Sequence, residues 1–337
     1  MITLLTWCAT GLAAAGWLAV CALAARRLVI TRAERRNSEA EVRLRPLALA
    51  LVEGESVNLE GLDEHEAAVL AALVGRFGRN LRGKSSAHIA SFLERRGELQ
   101  RQLSALETGS AWQRATAAFA LGDIGSRRGV HALRCALDDP KAEVRRAAAR
   151  SLGRLGEPTA VGPVVEALAQ SRIPRSVAGQ ALLAIGEPAL PALRALITAP
   201  DAEARALAVE LVGFLGDASD GGVLVERLRD SSAEVRAKAA HALGRVGAAE
   251  GAAELRARLA DRIPFVRVAV ARALGIVGDP KAVPDLVRVA REDSFDPARA
   301  AAHAVARLDP SALRRAAVEP GAGPHLHEAA DLLEATA

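Results

Sequence analysis

Apolar residues in the C-terminal two-thirds of the chain recur at helical spacing, and the helices they predict come in pairs. From Gly129 to Gly156, Val130, Leu133 and Leu137 fall on one helical face. Asp139-Pro140 intervenes, and Val144, Ala147, Ala148 and Leu152 then restore the spacing. Asp139 is an N-cap candidate, with proline at the first helical position. Gly153 and Gly156 are expected to end the second helix, because glycine adopts the left-handed conformation cheaply. One unit is therefore two antiparallel helices in about thirty residues. Pro174, Pro264 and Pro297 stand where other second helices should begin, and Ser231-Ser232-Ala233-Glu234 has the form of a capping box.

The same phrase returns on a fixed beat. LGxxG occurs at 121–125, 152–156, 243–247 and 274–278, with variants at 182–186 and 212–216. The final glycines lie at 125, 156, 186, 216, 247 and 278, and an arginine stands eleven residues before each, from Arg114 to Arg267. A further unit carries Arg299, with Asp309 in the place of the glycine. Alanine is frequent on the second helices, aromatic residues are 3% of the chain and tyrosine is absent. No single large core is expected; each unit buries its apolar face against the next.

The phrase of an aspartate followed by VRxxAxxALG, as in Asp230 with Val235-Arg236 and Ala242-Leu243-Gly244, resembles the HEAT-repeat family in its short bacterial form, the PBS-lyase-like HEAT repeat. Asp261 with Val266-Arg267 and Ala273-Leu274-Gly275 repeats it. The resemblance implies an all-α fold, a right-handed α-solenoid of about seven helix pairs over residues 110–310. It also implies a ladder of aspartates and arginines between units, here Asp139 and Arg145, Asp230 and Arg236, Asp261 and Arg267, Asp293 and Arg299. On that reading Asp230 loses its partner when Arg236 is removed. Ala169 and Ala199 replace the aspartate in two middle units, where the ladder is expected to break and the stack to loosen.

Ahead of the repeats, residues 2–25 carry no charge and reach about 36 Å as a helix, enough to span a bilayer. Arg26, Arg27, Arg32, Arg35 and Arg36 follow, an excess that holds the downstream side in the cytoplasm and offers contact with anionic lipid. The expected layout is a transmembrane anchor at 1–27 with its N-terminus outside the inner membrane, a spacer at 28–61, a helical cap at 62–109, the repeats, and closing helices at 311–337. A cleaved signal peptide ending near Ala22-Leu23-Ala24 is the rival reading.

Formal charge is +4, and those five arginines alone exceed it. The body is close to neutral, so no nucleic-acid footprint is expected. Three cysteines, Cys8, Cys21 and Cys135, make no disulfide framework. His131 and Cys135 share one helical face, expected as a surface histidine beside a buried cysteine, since two ligands do not make a metal site. His325 and His327 are expected as a solvated pair. Certain HEAT proteins, the deoxyhypusine hydroxylases, hold two irons on His-Glu pairs inside their repeats; here His65-Glu66 and His327-Glu328 lie outside them. Others in the family are bilin lyases, a pigment role that the scarcity of aromatic residues disfavours. No catalytic motif stands out, no cofactor or small-molecule substrate is indicated, and the expected partner is another protein, membrane-bound or not.

Surface therefore carries the functional reading. Five residues after each repeat arginine stand Phe119, Arg150, Gln180, Glu210, His241 and Arg272. With Arg146, Arg154, Lys238 and Arg245 a turn away, the second helices are expected to form a partner groove with basic ends and Glu210 between. The expected role is a membrane-tethered scaffold or adaptor. An accessory subunit of a membrane enzyme, such as an envelope-polysaccharide glycosyltransferase, is the alternative.

Overall fold

The computed structural model describes residues 35–55, 57, 61–78 and 84–335, with Trp17, Arg27 and Thr31. The fold is all-helical, with no strand among the described residues. The chain divides into two compact units. One comprises the residues up to Gln102 with Asp123–Ser126; the other comprises Leu103–Gly122 and Arg127–Ala337.

In the first unit, α1 (35–53), α2 (Glu64–Gly78) and α3 (Lys84–Arg95) bury Leu44, Leu70, Val74, Ile89 and Leu93. Surface ion pairs run from Arg36 to Asp63 at 3.4 Å and from Arg76 to Glu41 at 2.6 Å. The expectation of a single-pass inner-membrane protein is corrected here. No helix among the described residues is long and apolar enough to cross a membrane. The longest of them, α1, carries Arg35, Arg36, Glu39, Glu41, Arg43 and Arg45, charges that a hydrocarbon core excludes. The run 2–25 lies outside the described residues apart from Trp17, and so do Arg26 and Arg32. Arg36, expected beside lipid, lies 3.4 Å from Asp63 with its side chain largely exposed.

The second unit opens within α4 (Glu98–Thr108) at Leu103, takes α5 (Ala111–Ile124) as far as Gly122, and then repeats one theme: a short first helix, entered through a 3-10 turn, followed by a longer second helix. The successive pairs are α6 (Val130–Cys135) with α7 (Ala142–Leu155), α8 (Val161–Ala169) with α9 (Arg175–Ile185), and α10 (Leu190–Leu196) with α11 (Ala202–Leu215). Then come α12 (Gly221–Arg227) with α13 (Ala233–Val246), α14 (Ala252–Arg258) with α15 (Pro264–Val277), and α16 (Val283–Glu292) with α17 (Phe295–Leu308). Helices α18 (Pro310–Val318) and α19 (Pro324–Ala335) close the unit. Leu133, Leu193, Leu224, Leu255 and Leu286 on the first helices are fully buried, as are Leu152, Leu182, Leu243 and Leu274 on the second. Each such side chain contributes about 1.5–3 kcal/mol, so the core is a string of small ones joined end to end.

The two glycines of the repeat do different work. The second, as in Gly156 (φ 66°) and Gly247 (φ 67°), caps the helix in the left-handed conformation. The first does not end the helix; it lets the next helix approach. A Cβ on Gly153 would meet the Ala181 Cα at 2.7 Å, and one on Gly213 the Ala242 Cα at 2.7 Å. Alanine on the second helices is the other half of that contact. The α9 unit departs: Leu183 stands where the first glycine belongs, 41% exposed, and α9 packs less extensively on α11 than α7 does on α9 or α11 on α13.

Helix starts also differ from expectation. Helix α7 begins two residues beyond Pro140, and Pro297 is the third residue of α17 rather than the first. Ser232 makes no side-chain cap bond, so no capping box forms at Ser231–Glu234. The Asp230 carboxylate takes over, accepting from the Ser232 N–H at 2.9 Å. Asp139 does the same for Lys141 and Asp261 for Ile263, because a short carboxylate folds back onto the backbone two residues on.

Candidate functional site

The repeat arginines and aspartates meet across units, and the partner lies one unit further on than the sequence spacing suggested. Arg236 donates through Nε and Nη2 to both carboxylate oxygens of Asp261, at 2.7 and 3.0 Å. Its Nη1 donates to the main-chain carbonyls of Asp230 and Ser231, at 2.9 and 3.3 Å. Arg236 thus touches Asp230 only through the backbone; the Asp230 carboxylate belongs to Arg205, at 2.8 and 2.9 Å. Arg114 with Asp139 and Arg267 with Asp293 repeat the bidentate pattern. Bonding to these carboxylates raises the pKa of Arg114, Arg205, Arg236 and Arg267 above its ordinary value. Burial works to raise the Asp230, Asp261 and Asp293 pKa, but the arginine and backbone donors outweigh it and hold all three below 3.8.

Two expected members stand outside the pattern. Arg299 lies 3.8 Å from Asp296 on its own helix, over the Phe295 ring. Arg145, facing a unit that has Ala169, donates instead to the Arg172 carbonyl at 2.7 Å and the Asp139 carbonyl at 2.8 Å. Arg114 and Arg205 were legible as repeat arginines. Their role was missed because the aspartate was sought six residues upstream, while the bond runs 25 residues downstream.

On the second-helix face, the expected residues are largely tied to one another. Lys238 on α13 bonds Glu210 on α11 at 2.7 Å, so Glu210 is no isolated acidic centre. The Arg245 guanidinium lies 3.8 Å from the centroid of Phe214, and that of Arg154 lies 4.2 Å from Phe119. Arg154 also donates to the Ser151 hydroxyl at 3.0 Å. Arg146 pairs with Glu143 on its own helix at 3.2 Å. Arg150 and Arg272 are exposed. His241 is half-buried among these cations; burial first, then Arg245, Arg272 and Lys238, lower its pKa below 6.5 and leave it neutral near pH 7. The aromatic partner Phe214 was missed. It lies nine residues after its repeat arginine, a column that also holds Arg154, Arg245 and Ile276, and Phe214 and Ile276 are both about half exposed.

The histidines are arranged otherwise than expected. Cys135 is exposed, not buried, with its Sγ 3.9 Å from His131 Nε2. His325 is buried edge-on against Phe295, ring centroids 4.6 Å apart, while His327 Nδ1 lies 2.7 Å from the Gly323 carbonyl. Among the described residues no group of three or more histidines, cysteines or carboxylates is placed to hold a metal ion.

The HEAT-repeat family model matches residues 99–183 and 221–306. No curated protein sequence matches the chain. Among solved structures, importin beta is 16% identical over 84% of this chain and 42% of its own, with a TM-score of 0.51. The E. coli protein YibA is 19% identical over 80% of this chain and 97% of its own, with a TM-score of 0.43. Human deoxyhypusine hydroxylase is 20% identical over 81% and 98%, with a TM-score of 0.33. At these identities the likeness is one of fold alone, and only the first superposes well enough to weigh. With buried repeat leucines, a shared pair of glycines, arginine–aspartate bonds from unit to unit and family matches over just over half its length, the chain belongs to the HEAT-repeat family.

Proposed function

We propose that this chain is a protein-binding scaffold, a right-handed solenoid of about seven helix pairs that receives another protein on the face of its second helices. The reading takes residues 110–310 as the working body, 62–109 as its N-terminal cap and 311–337 as its closing helices, and gives the chain no catalytic step of its own. One observation carries it. The inward positions of the second helices are leucine, alanine and glycine in most units, whereas the outward position five after the repeat arginine differs between every pair of neighbouring units: Phe119, Arg150, Gln180, Glu210, His241, Arg272. A stack needs the first set to hold together and has no use for variety in the second. Exposed Phe214 and Ile276 add apolar area of the kind that anchors interfaces, with the Arg245 guanidinium over the Phe214 ring.

The test is cross-linking in native extracts, comparing the wild type with Arg150→Glu/Phe214→Ser/Arg272→Glu, all three at exposed positions. A protein captured by the wild type and lost from the variant is the expected result. The same catch from both would refute the second-helix face as the working surface.

A further inference from the structure

On the outward face of α11, α13 and α15, apolar surface and positive charge stand together. Phe214 on α11 is 49% exposed and Ile276 on α15 is 51% exposed. Both meet the end of α13. The Arg245 guanidinium lies 3.8 Å from the Phe214 centroid, and Ile276 Cδ1 lies 3.6 Å from the position a Cβ on Gly244 would take. His241 precedes Arg245 by one turn on α13, and Arg272 precedes Ile276 by one turn on α15.

The positive charge here is not answered from within. Arg245 and Arg272 make no ion pair among the described residues. Burial first, then the charges of Arg245, Arg272 and Lys238, hold the His241 pKa down; Glu210 opposes them and acts least. Glu210 is itself bonded to Lys238 at 2.7 Å. Exposed arginines elsewhere in the array do reach a carboxylate, Arg175 at Asp201 and Arg229 at Glu254.

We propose that this patch docks an acidic segment of a partner protein, one that lays an apolar side chain on Phe214 and Ile276 and carboxylates on Arg245 and Arg272. The inference rests on the second-helix face being the working surface and adds the chemistry of its occupant. A guanidinium seated on a ring keeps N–H donors for a carboxylate. An apolar side chain arriving beside it displaces water and strengthens the charge pairs. Charge and apolar area on one patch therefore favour a segment that carries both.

The experiment is fluorescence anisotropy on the full chain with a labelled peptide of repeated Glu-Glu-Leu, in about 0.15 M salt to screen diffuse attraction. Peptides of repeated Gln-Gln-Leu and Glu-Glu-Ser remove the charge and the apolar groups in turn. Phe214→Ser removes the apolar seat, and Arg245→Gln/Arg272→Gln removes both cations. Arg134→Gln removes an exposed arginine on α6 that likewise makes no ion pair among the described residues. The Glu-Glu-Leu peptide is expected to bind saturably, and each control peptide at least about tenfold more weakly. Phe214→Ser and Arg245→Gln/Arg272→Gln should each weaken binding about tenfold, and Arg134→Gln by less than about twofold, since one aromatic anchor, or two exposed charge pairs together, amounts to about a decade. Absence of saturable binding, control peptides that bind as well, undiminished binding in both patch variants, or an equal loss in Arg134→Gln would overturn the proposal. So would a mixed-sequence oligonucleotide that binds when the peptide does not. Circular dichroism checks the fold of each variant, and the double arginine variant alone decides if Phe214→Ser is misfolded. If the peptide fails while cross-linking still loses a protein in its triple variant, the second-helix face stands and its acidic occupant falls; an unchanged catch removes the surface itself.

Discussion

Replacing Arg236 by alanine removes the best-buried cation of the ladder. Its side chain is 7% exposed and that of Asp261 4%, against 20% and 10% for Arg114 and Asp139. The substitution leaves the Asp261 carboxylate buried with one backbone donor, Ile263 N–H, and strips a donor from the carbonyls of Asp230 and Ser231. Removing one partner of a buried ion pair costs about 3–5 kcal/mol, most of it the stranded charge. Arg146→Ala breaks only a surface pair within α7 and should cost under about 0.5 kcal/mol. Urea unfolding followed by circular dichroism reads both as midpoint shifts at constant slope. The double variant Arg236→Ala/Asp261→Ala should recover part of the loss, because no charge is then stranded. If Arg236→Ala costs no more than Arg146→Ala, or if the double variant is as unstable as the sum of the singles, the ladder does not hold the units together. The Asp230 carboxylate keeps Arg205 throughout, so the stranded charge lies in the next unit, at Asp261, and not in that of Arg236.

Further outcomes follow from the same geometry. Gly153→Ala drives a methyl into the Ala181 backbone and should cost about 1–3 kcal/mol, whereas Gly162→Ala on α8 meets nothing within 4 Å and should stabilise by up to about 1 kcal/mol; equal melting temperatures would contradict the close-approach role. His241 has a folded pKa below 6.5, so as pH falls through 6.5 the unfolded chain takes up a proton that the folded chain does not. Stability should therefore decline from pH 6.5 down to that lower value, and His241→Gln should flatten the decline measured by urea midpoints against pH. The ladder aspartates act in the same direction but in a lower window. Their contribution is whole above their ordinary 3.8 and is lost as pH falls through their lower folded values, so acid unfolding should be blunted in Asp230→Asn/Asp293→Asn.

The helix pairs were legible because leucine, alanine and glycine recur at fixed places, and a stack of identical units writes its core into the sequence many times over. The capping glycines Gly156 and Gly247 were legible for the same reason. The role of Gly153 was not, since nothing in its own unit shows that Ala181 arrives from the next. The partner of Arg236 was hidden likewise: Asp230 is nearer in sequence, but the side chain at a helix start reaches across to the following turn, not back along its own chain. On the second-helix face, Glu210 and Lys238 were both picked out, yet their bond depends on a register between α11 and α13 that charge alone does not set. The buried state of His325 came from Phe295, thirty residues away and without any sequence signal linking the two.

The spacing of the bidentate bonds has a consequence for cooperativity. Among the described residues one links α5 to the turn before α7, the next two junctions carry only the single ion pairs of Arg172 with Asp138 and of Arg175 with Asp201 and Glu203, and three bidentate bonds follow in succession through Asp293. In a one-dimensional array, an opening that starts in one unit spreads until it meets the weakest coupling. The missing bonds at Ala169 and Ala199, reinforced by Leu183, therefore act as a firebreak. The helices from α11 onward should open as one block and α7 with its neighbours as another, which hydrogen exchange would resolve as two plateaus of protection; a single plateau across both would show that packing alone carries the coupling.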